Sequence, residues 1–161
     1  MYDLSYFRTT LSSYDDLAFE RILNTPKRGL GDKALQKIHL YSRQNKISLT
    51  QASKEILTKG QLNSKASNGL RVLLENISRW RQIYFNSEKS HIELAEIILD
   101  ESGYTDMWKA DLSPDAPGRL ENLKELIQSL EGFENLEGFL EHIALIMDNE
   151  ENEEVDKVSI M

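Results

Sequence analysis

Lys27, Arg28 and Lys33 bracket the tripeptide Gly29-Leu30-Gly31, and the chemistry that such a spacing suits is the capture of an anion. A glycine reaches positive φ without penalty and carries no β-carbon. Gly29 and Gly31 are therefore expected to take such conformations and let several backbone N–H groups converge on one oxyanion. The three cations add field at the same point, and a helix starting just beyond it contributes the positive end of its dipole. The same residues also suit a plain helix–helix turn whose lysines are only solvated, and Gly-x-Gly alone does not separate the two.

Other chemistry finds little footing. The sequence has no Gly-x-x-x-x-Gly-Lys-Ser/Thr phosphate loop, no Gly-x-Ser-x-Gly elbow and no His-Glu-x-x-His pair. His39, His91 and His142 are far apart, and each falls in or beside a helical pattern, so surface or packing roles are expected rather than a metal site. Asp15-Asp16 and Asp100-Glu101 are adjacent pairs, which on a helix point apart. No catalytic residues are expected, and the chain by itself should need no cofactor.

The elements that must position the glycine turn are helical. Pro26 withholds its amide and biases Thr25 away from the helical region, so a helix opened by Asp15 or Asp16, with Phe19, Ile22 and Leu23 inward, should stop near it. Asp32 is expected to cap the next helix, which carries Leu35 and Ile38 on its inner face to about Gln44. Before these, Leu4, Phe7 and Leu11 mark a first helix. After them, Ser48 with Gln51 and Ser90 with Glu93 form capping-box patterns. A longer helix over about 64–85 buries Leu70, Leu73, Leu74, Ile77, Trp80 and Tyr84, with Arg71, Arg79 and Arg81 on its polar side. Gly69 within it costs about 1 kcal/mol against alanine. A short piece with Met107, Trp108 and Leu112 leads to the break at 113–118, and helices near 119–130 and 136–147 follow. The expectation is an all-α, compact multi-helix domain over 1–147, an acidic linker over 148–156, and a short strand-like segment over 157–161 with nothing to pair with.

At 161 residues the chain suits one domain with its own core. It has no cysteine, which fits a reducing, cytoplasmic setting, and its apolar runs are too short and too charged to span a membrane. The net charge of −8 is segregated. Residues 1–90 hold 15 Lys+Arg against 8 Asp+Glu, a balance of +7, whereas residues 91–161 hold 4 against 19, a balance of −15. A basic half containing the glycine turn suggests a polyanion facing one side only. The acidic half leaves open a protein-interaction role.

The turn resembles the helix-hairpin-helix device that holds a duplex phosphate without reading sequence. Over Asp15 to Asp32, with Tyr6-Phe7-Arg8, Arg119-Leu120-Glu121-Asn122-Leu123-Lys124-Glu125-Leu126 and Phe139-Leu140-Glu141-His142-Ile143-Ala144-Leu145, the chain resembles the 2B subdomain of the UvrD/PcrA/Rep family of bacterial DNA helicases. Val158-Ser159-Ile160-Met161 is similar to the strand by which that family re-enters a motor domain. The resemblance implies a helical accessory domain inserted in a 3′-to-5′ helicase, whose ATP and Mg sites lie elsewhere in the parent protein. It implies that Thr25, Gly29, Leu30 and Gly31 correspond to a Gly-Ile-Gly duplex-contact motif, with leucine in place of isoleucine, while Lys27 and Arg28 match its basic positions in type. Its partners would be the backbone of double-stranded DNA and the motor domains of the same chain, with the piece itself monomeric. It assigns no role to Arg119, Glu121 or Asn122. A stand-alone helix-hairpin-helix module remains the alternative.

Overall fold

The computed structural model describes the backbone of residues 2–160 and the side chains of residues 2–149. The described residues form helices α1 (Tyr2–Leu11), α2 (Asp16–Ile22), α3 (Asp32–Asn45), α4 (Leu49–Lys59), α5 (Ser64–Phe85), α6 (His91–Glu101), α7 (Tyr104–Ala110), α8 (Ala116–Leu130) and α9 (Leu136–Ile160), and no strand occurs among them. The fold is all-α, as the periodicity implies.

Local chemistry sets most boundaries. The side chains of Asp15, Ser48, Asn63 and Ser90 accept from Ala18, Gln51, Ala66 and Glu93 amides, each satisfying a donor that the helix itself leaves without a partner. Gly60 closes α4 in the left-handed conformation, φ 66°. The central element is α5, roughly 33 Å long at 1.5 Å per residue, which packs on α1, α4 and α6. Its Leu70, Leu73, Ile77 and Trp80 are buried with Tyr6 and Phe7 of α1, Phe19 of α2 and Phe139 of α9. Glu101 of α6 fastens α5 from one side, accepting from Arg79 Nη1 at 2.5 Å and from Trp80 Nε1 at 2.9 Å. Arg81 Nη2 fastens it from another by donating to the Thr9 carbonyl at 2.8 Å.

Four expectations need correction. The acidic linker over 148–156 and the strand-like end over 157–161 are instead continuous helix to Ile160, with Met161 outside the described residues. Glutamate is a good helix former, and a helix satisfies its backbone internally whereas a lone strand cannot. The break at 113–118 is shorter than expected, because α8 starts at Ala116 with Pro117 in its first turn, where a missing amide costs nothing. Leu112, expected in the amphipathic piece, lies outside α7 and is 99% exposed.

Tyr6 is the aromatic on which the first elements meet: it is fully buried, edge-on to Trp80 at 6.2 Å, and its hydroxyl donates to the Thr25 carbonyl. Burial raises its phenol above the ordinary 10.0, with the Arg28 guanidinium partly offsetting the rise, and Tyr104 is raised by burial as well. A proton held more tightly by the folded chain gives stability that is complete below about pH 10 and is lost as the pH rises further. Denaturant midpoints measured at successive alkaline pH values should therefore fall. Tyr6→Phe should start about 1–2 kcal/mol less stable at neutral pH and decline less steeply. Equal alkaline declines in the two proteins would contradict this role for Tyr6.

Candidate nucleic-acid interface

The turn between α2 and α3 is built from side chain to backbone. Helix α2 ends at Ile22, and the Thr25 amide still reaches the Ile22 carbonyl at 3.3 Å. The Asn24 side-chain oxygen accepts from the Arg28 amide at 2.8 Å, spanning a cis Thr25–Pro26 peptide. Gly29 follows with φ +81°, a conformation that only glycine adopts freely. Leu30 is 1% exposed and plugs the core, anchoring the turn from inside.

Arg28 departs from expectation. Sequence reasoning places it among exposed cations, but its guanidinium is folded back into the protein. Nη1 donates to the carbonyls of Ile22 at 2.5 Å and Pro26 at 3.0 Å. Nη2 donates to the Tyr6 hydroxyl and to the Ser102 carbonyl, the latter at 3.3 Å, and the guanidinium lies 5.8 Å from the Tyr6 ring centre. A planar five-donor fork can satisfy carbonyls from several directions at once, and here it links α1, the end of α2 and the end of α6.

Close packing fixes the outer side of the turn. A β-carbon on Gly69 would sit 2.0 Å from the Arg28 carbonyl oxygen, so α5 approaches the turn at a distance that no other residue permits. The helix-weakening glycine is thus a contact requirement, and its periodic surroundings gave no sign of it. Lys65, one turn earlier on α5, lies over Gly29, with its Cγ 2.7 Å from where a β-carbon would be. Lys65 is exposed, as are Lys27 and Lys33 at the turn itself. Sequence reading missed Lys65 because it stands 36 positions beyond Gly29.

The start of α3 also differs from expectation. Asp32 is its first residue, not its cap. The cap is Gly31, with φ −82° and ψ 178°, and no side chain hydrogen-bonds the first turn. The amides of Asp32, Lys33 and Ala34 belong to the first turn, where a helix supplies no acceptor of its own. Gly31 does not take the positive φ expected of it. It is exposed, and nothing lies within 4 Å of the position a β-carbon would occupy. Glycine there is demanded neither by backbone strain nor by internal packing.

The remaining sequence candidates are committed elsewhere. Arg79 ties α5 to α6, Arg71 Nη1 donates to Asn68 at 3.0 Å, and Arg81 donates through Nη2 alone to the Thr9 carbonyl, so these three do not share one basic face. His39 lies 3.4 Å from Glu20, and His91 meets the Leu130 carbonyl at 2.8 Å. No metal-holding group of His, Asp and Glu occurs among the described residues. Arg119 lies over the Trp108 ring at 5.6 Å, joining α8 to α7, and Glu121 makes an exposed contact to Lys124 at 3.9 Å.

Residues 2–161 match the family model described as "UvrD-like helicase C-terminal domain". The chain belongs to that family. It is 37% identical over 147 residues to the "Probable DNA helicase II homolog" of Rickettsia felis, covering 91% of this chain and 22% of that protein. It is 35% identical over 165 residues to the "ATP-dependent DNA helicase PcrA" of Bacillus subtilis, covering 97% and 22%. To the "DNA helicase II" of Escherichia coli K12 it is 33% identical over 151 residues, covering 88% and 21%. This UvrD-like chain therefore spans about a fifth of the length of these relatives.

Within this UvrD-like fold the turn owes its shape to Arg28 and Gly69, which predicts unequal effects from neighbouring substitutions. Arg28→Ala should cost about 3 kcal/mol, since it orphans carbonyls that accept from a charged donor. Gly69→Ala should cost about 1–3 kcal/mol through overlap, although helix propensity alone would favour it. Lys27→Ala, at an exposed position, should stay within about 0.5 kcal/mol of the parent. Thermal or urea unfolding checks all three, and an Arg28→Ala protein as stable as Lys27→Ala would refute the tie.

Proposed function

We propose that this chain is the 2B-type accessory subdomain of an ATP-dependent 3′-to-5′ DNA helicase, and that it holds the backbone of duplex DNA at the turn between α2 and α3. The supporting observation is the start of α3: an exposed glycine cap, open space around it, and a first turn of amides without a side-chain acceptor. Among the described residues, five other helices carry a side chain that fills that role: Asp15, Ser48, Asn63, Ser90 and, ahead of α9, Asn135, which accepts from the Gly138 amide at 2.8 Å. A phosphate is the complementary ligand, since it supplies both the acceptor oxygens and the negative charge that the helix dipole favours. Lys27, Lys33 and Lys65 surround the approach, while Thr25, Arg28, Gly29 and Leu30 act by holding the backbone in place. Backbone donors touch phosphate and not base edges, so the grip is indifferent to sequence.

In this reading ATP and Mg are bound by other parts of the parent protein, and the subdomain aligns or limits unwinding by the way it is oriented.

The test separates amide capture from charge. Gly31→Asn places a neutral capping side chain at a backbone geometry that suits it, so folding stability should hold or rise by a few tenths of a kcal/mol. Its side chain would occupy the amides meant for phosphate, and duplex affinity, read by fluorescence anisotropy, should fall at least about tenfold. Lys33→Ala should flatten the slope of log K against log salt by about 0.9, from a parent slope near −2 for roughly two phosphates. Unchanged duplex binding by Gly31→Asn would reject the proposal.

A further inference from the structure

On another face, two adjoining hollows of about 490 and 450 Å³ share Thr50, Lys54 and Arg81. Their walls come from the loop after α1, the α3–α4 turn, α4 and the C-terminal half of α5. Lys46, held in the left-handed conformation at φ 54°, adds a third cation to the first hollow. The one carboxylate in either lining, Asp16, already accepts from the Leu49 amide at 3.0 Å. Neither Lys46 nor Lys54 is in an ion pair with any described residue.

Arg81 is the unusual member. It is half-buried, its Nη2 reaches only the Thr9 carbonyl, and its buried Nε has no hydrogen-bond partner. Burial lowers its guanidinium below the ordinary value, and no carboxylate opposes that loss of solvation. A guanidinium taken out of water without a countercharge is costly, and an arriving anion relieves the cost. An exposed aromatic stands in each hollow: Tyr14, 83% exposed, in the first, and Phe85, 66% exposed, in the second. Cations in a groove with solvent-facing aromatic rings are the features that hold unpaired nucleotides, phosphates on the cations and bases stacked on the rings.

We propose that this cleft is a second nucleic-acid site, one that takes a short stretch of single strand, with phosphates toward Lys46, Lys54 and Arg81 and bases on Tyr14 and Phe85. The site stands apart from the duplex grip. Along α5, Gly69 and Arg81 are separated by roughly 18 Å at 1.5 Å per residue. A double-to-single-strand junction, with its duplex at the α2–α3 turn and its loose strand in the cleft, could occupy both.

The test uses the full chain and a labelled oligothymidylate, chosen because it forms no duplex. The parent should bind it with a salt slope that Lys46→Ala/Lys54→Ala flattens by about 1.4, at roughly 0.7 per phosphate on a single strand. Tyr14→Ala and Phe85→Ala should each weaken binding by about fivefold or more. All these residues except Arg81 are exposed, so the variants should fold, which circular dichroism checks. Gly31→Asn should weaken duplex far more than oligothymidylate, and Lys46→Ala/Lys54→Ala the reverse, so failure of one site is distinguishable from failure of the other. Three results would overturn the proposal: oligothymidylate affinity unaltered in the lysine and aromatic variants, inorganic phosphate competing as well as the oligonucleotide at equal phosphate concentration, or a polyglutamate peptide binding the cleft more tightly than the oligonucleotide.

Discussion

Arg28 holds the structure together at the point where function is proposed, and it does so from both ends. Its carbonyl rests where Gly69 leaves room, which sets how closely α5 approaches the turn. Its guanidinium reaches Tyr6, Ile22, Pro26 and Ser102, which fixes the turn against α1, α2 and α6. A loop between helices would otherwise be among the least constrained parts of a domain. Here the middle of α1 and the ends of α2 and α6 are fastened to one side chain, so the amides at the start of α3 point in a fixed direction. Backbone capture of a phosphate depends on such preorganisation, because the donors must already converge before the ligand arrives.

The distribution of charge follows the same division of labour. Four of the arginines make contacts that join elements of the domain: Arg28 at the turn, Arg79 on Glu101, Arg81 on Thr9 and Arg119 over Trp108. Lysines remain in solvent, where Lys27, Lys33 and Lys65 ring the turn and Lys46 and Lys54 line the cleft. This matches their chemistry, since a planar fork satisfies several carbonyls at once while an ammonium on a flexible stem works as a mobile point charge. The basic half of the chain thereby offers surface charge at two places, and the acidic half, net −15 over residues 91–161, turns a polyanion away from the remainder.

How much of this the sequence discloses depends on the span of each interaction. The capping boxes at Ser48 and Ser90 and the apolar stripe of α5 were legible because their partners lie three or four positions away. The burial of Arg28 was not, since its partners stand 6, 22 and 74 positions off. Gly69 read as a local cost because its reason is the Arg28 carbonyl, 41 positions away. The acidic run after Met147 was misjudged for a different reason: polarity argued for a solvated linker, whereas glutamate's helix propensity carries α9 on to Ile160. At the glycine turn, residue types directed attention to the segment proposed above to hold an anion, yet the property on which that proposal rests, a helix start with no side-chain cap and open space around Gly31, is visible only in three dimensions.

The central claim is that duplex phosphate meets the backbone at the start of α3, and amide-resolved NMR of the labelled chain titrated with a blunt duplex tests it most directly. The account predicts that the largest shift changes fall on the amides of Gly31, Asp32, Lys33 and Ala34, that they are the same for duplexes of unrelated sequence, and that they fade with added salt. Changes centred on α8 and α9, with the Gly31–Ala34 amides unmoved, would contradict it.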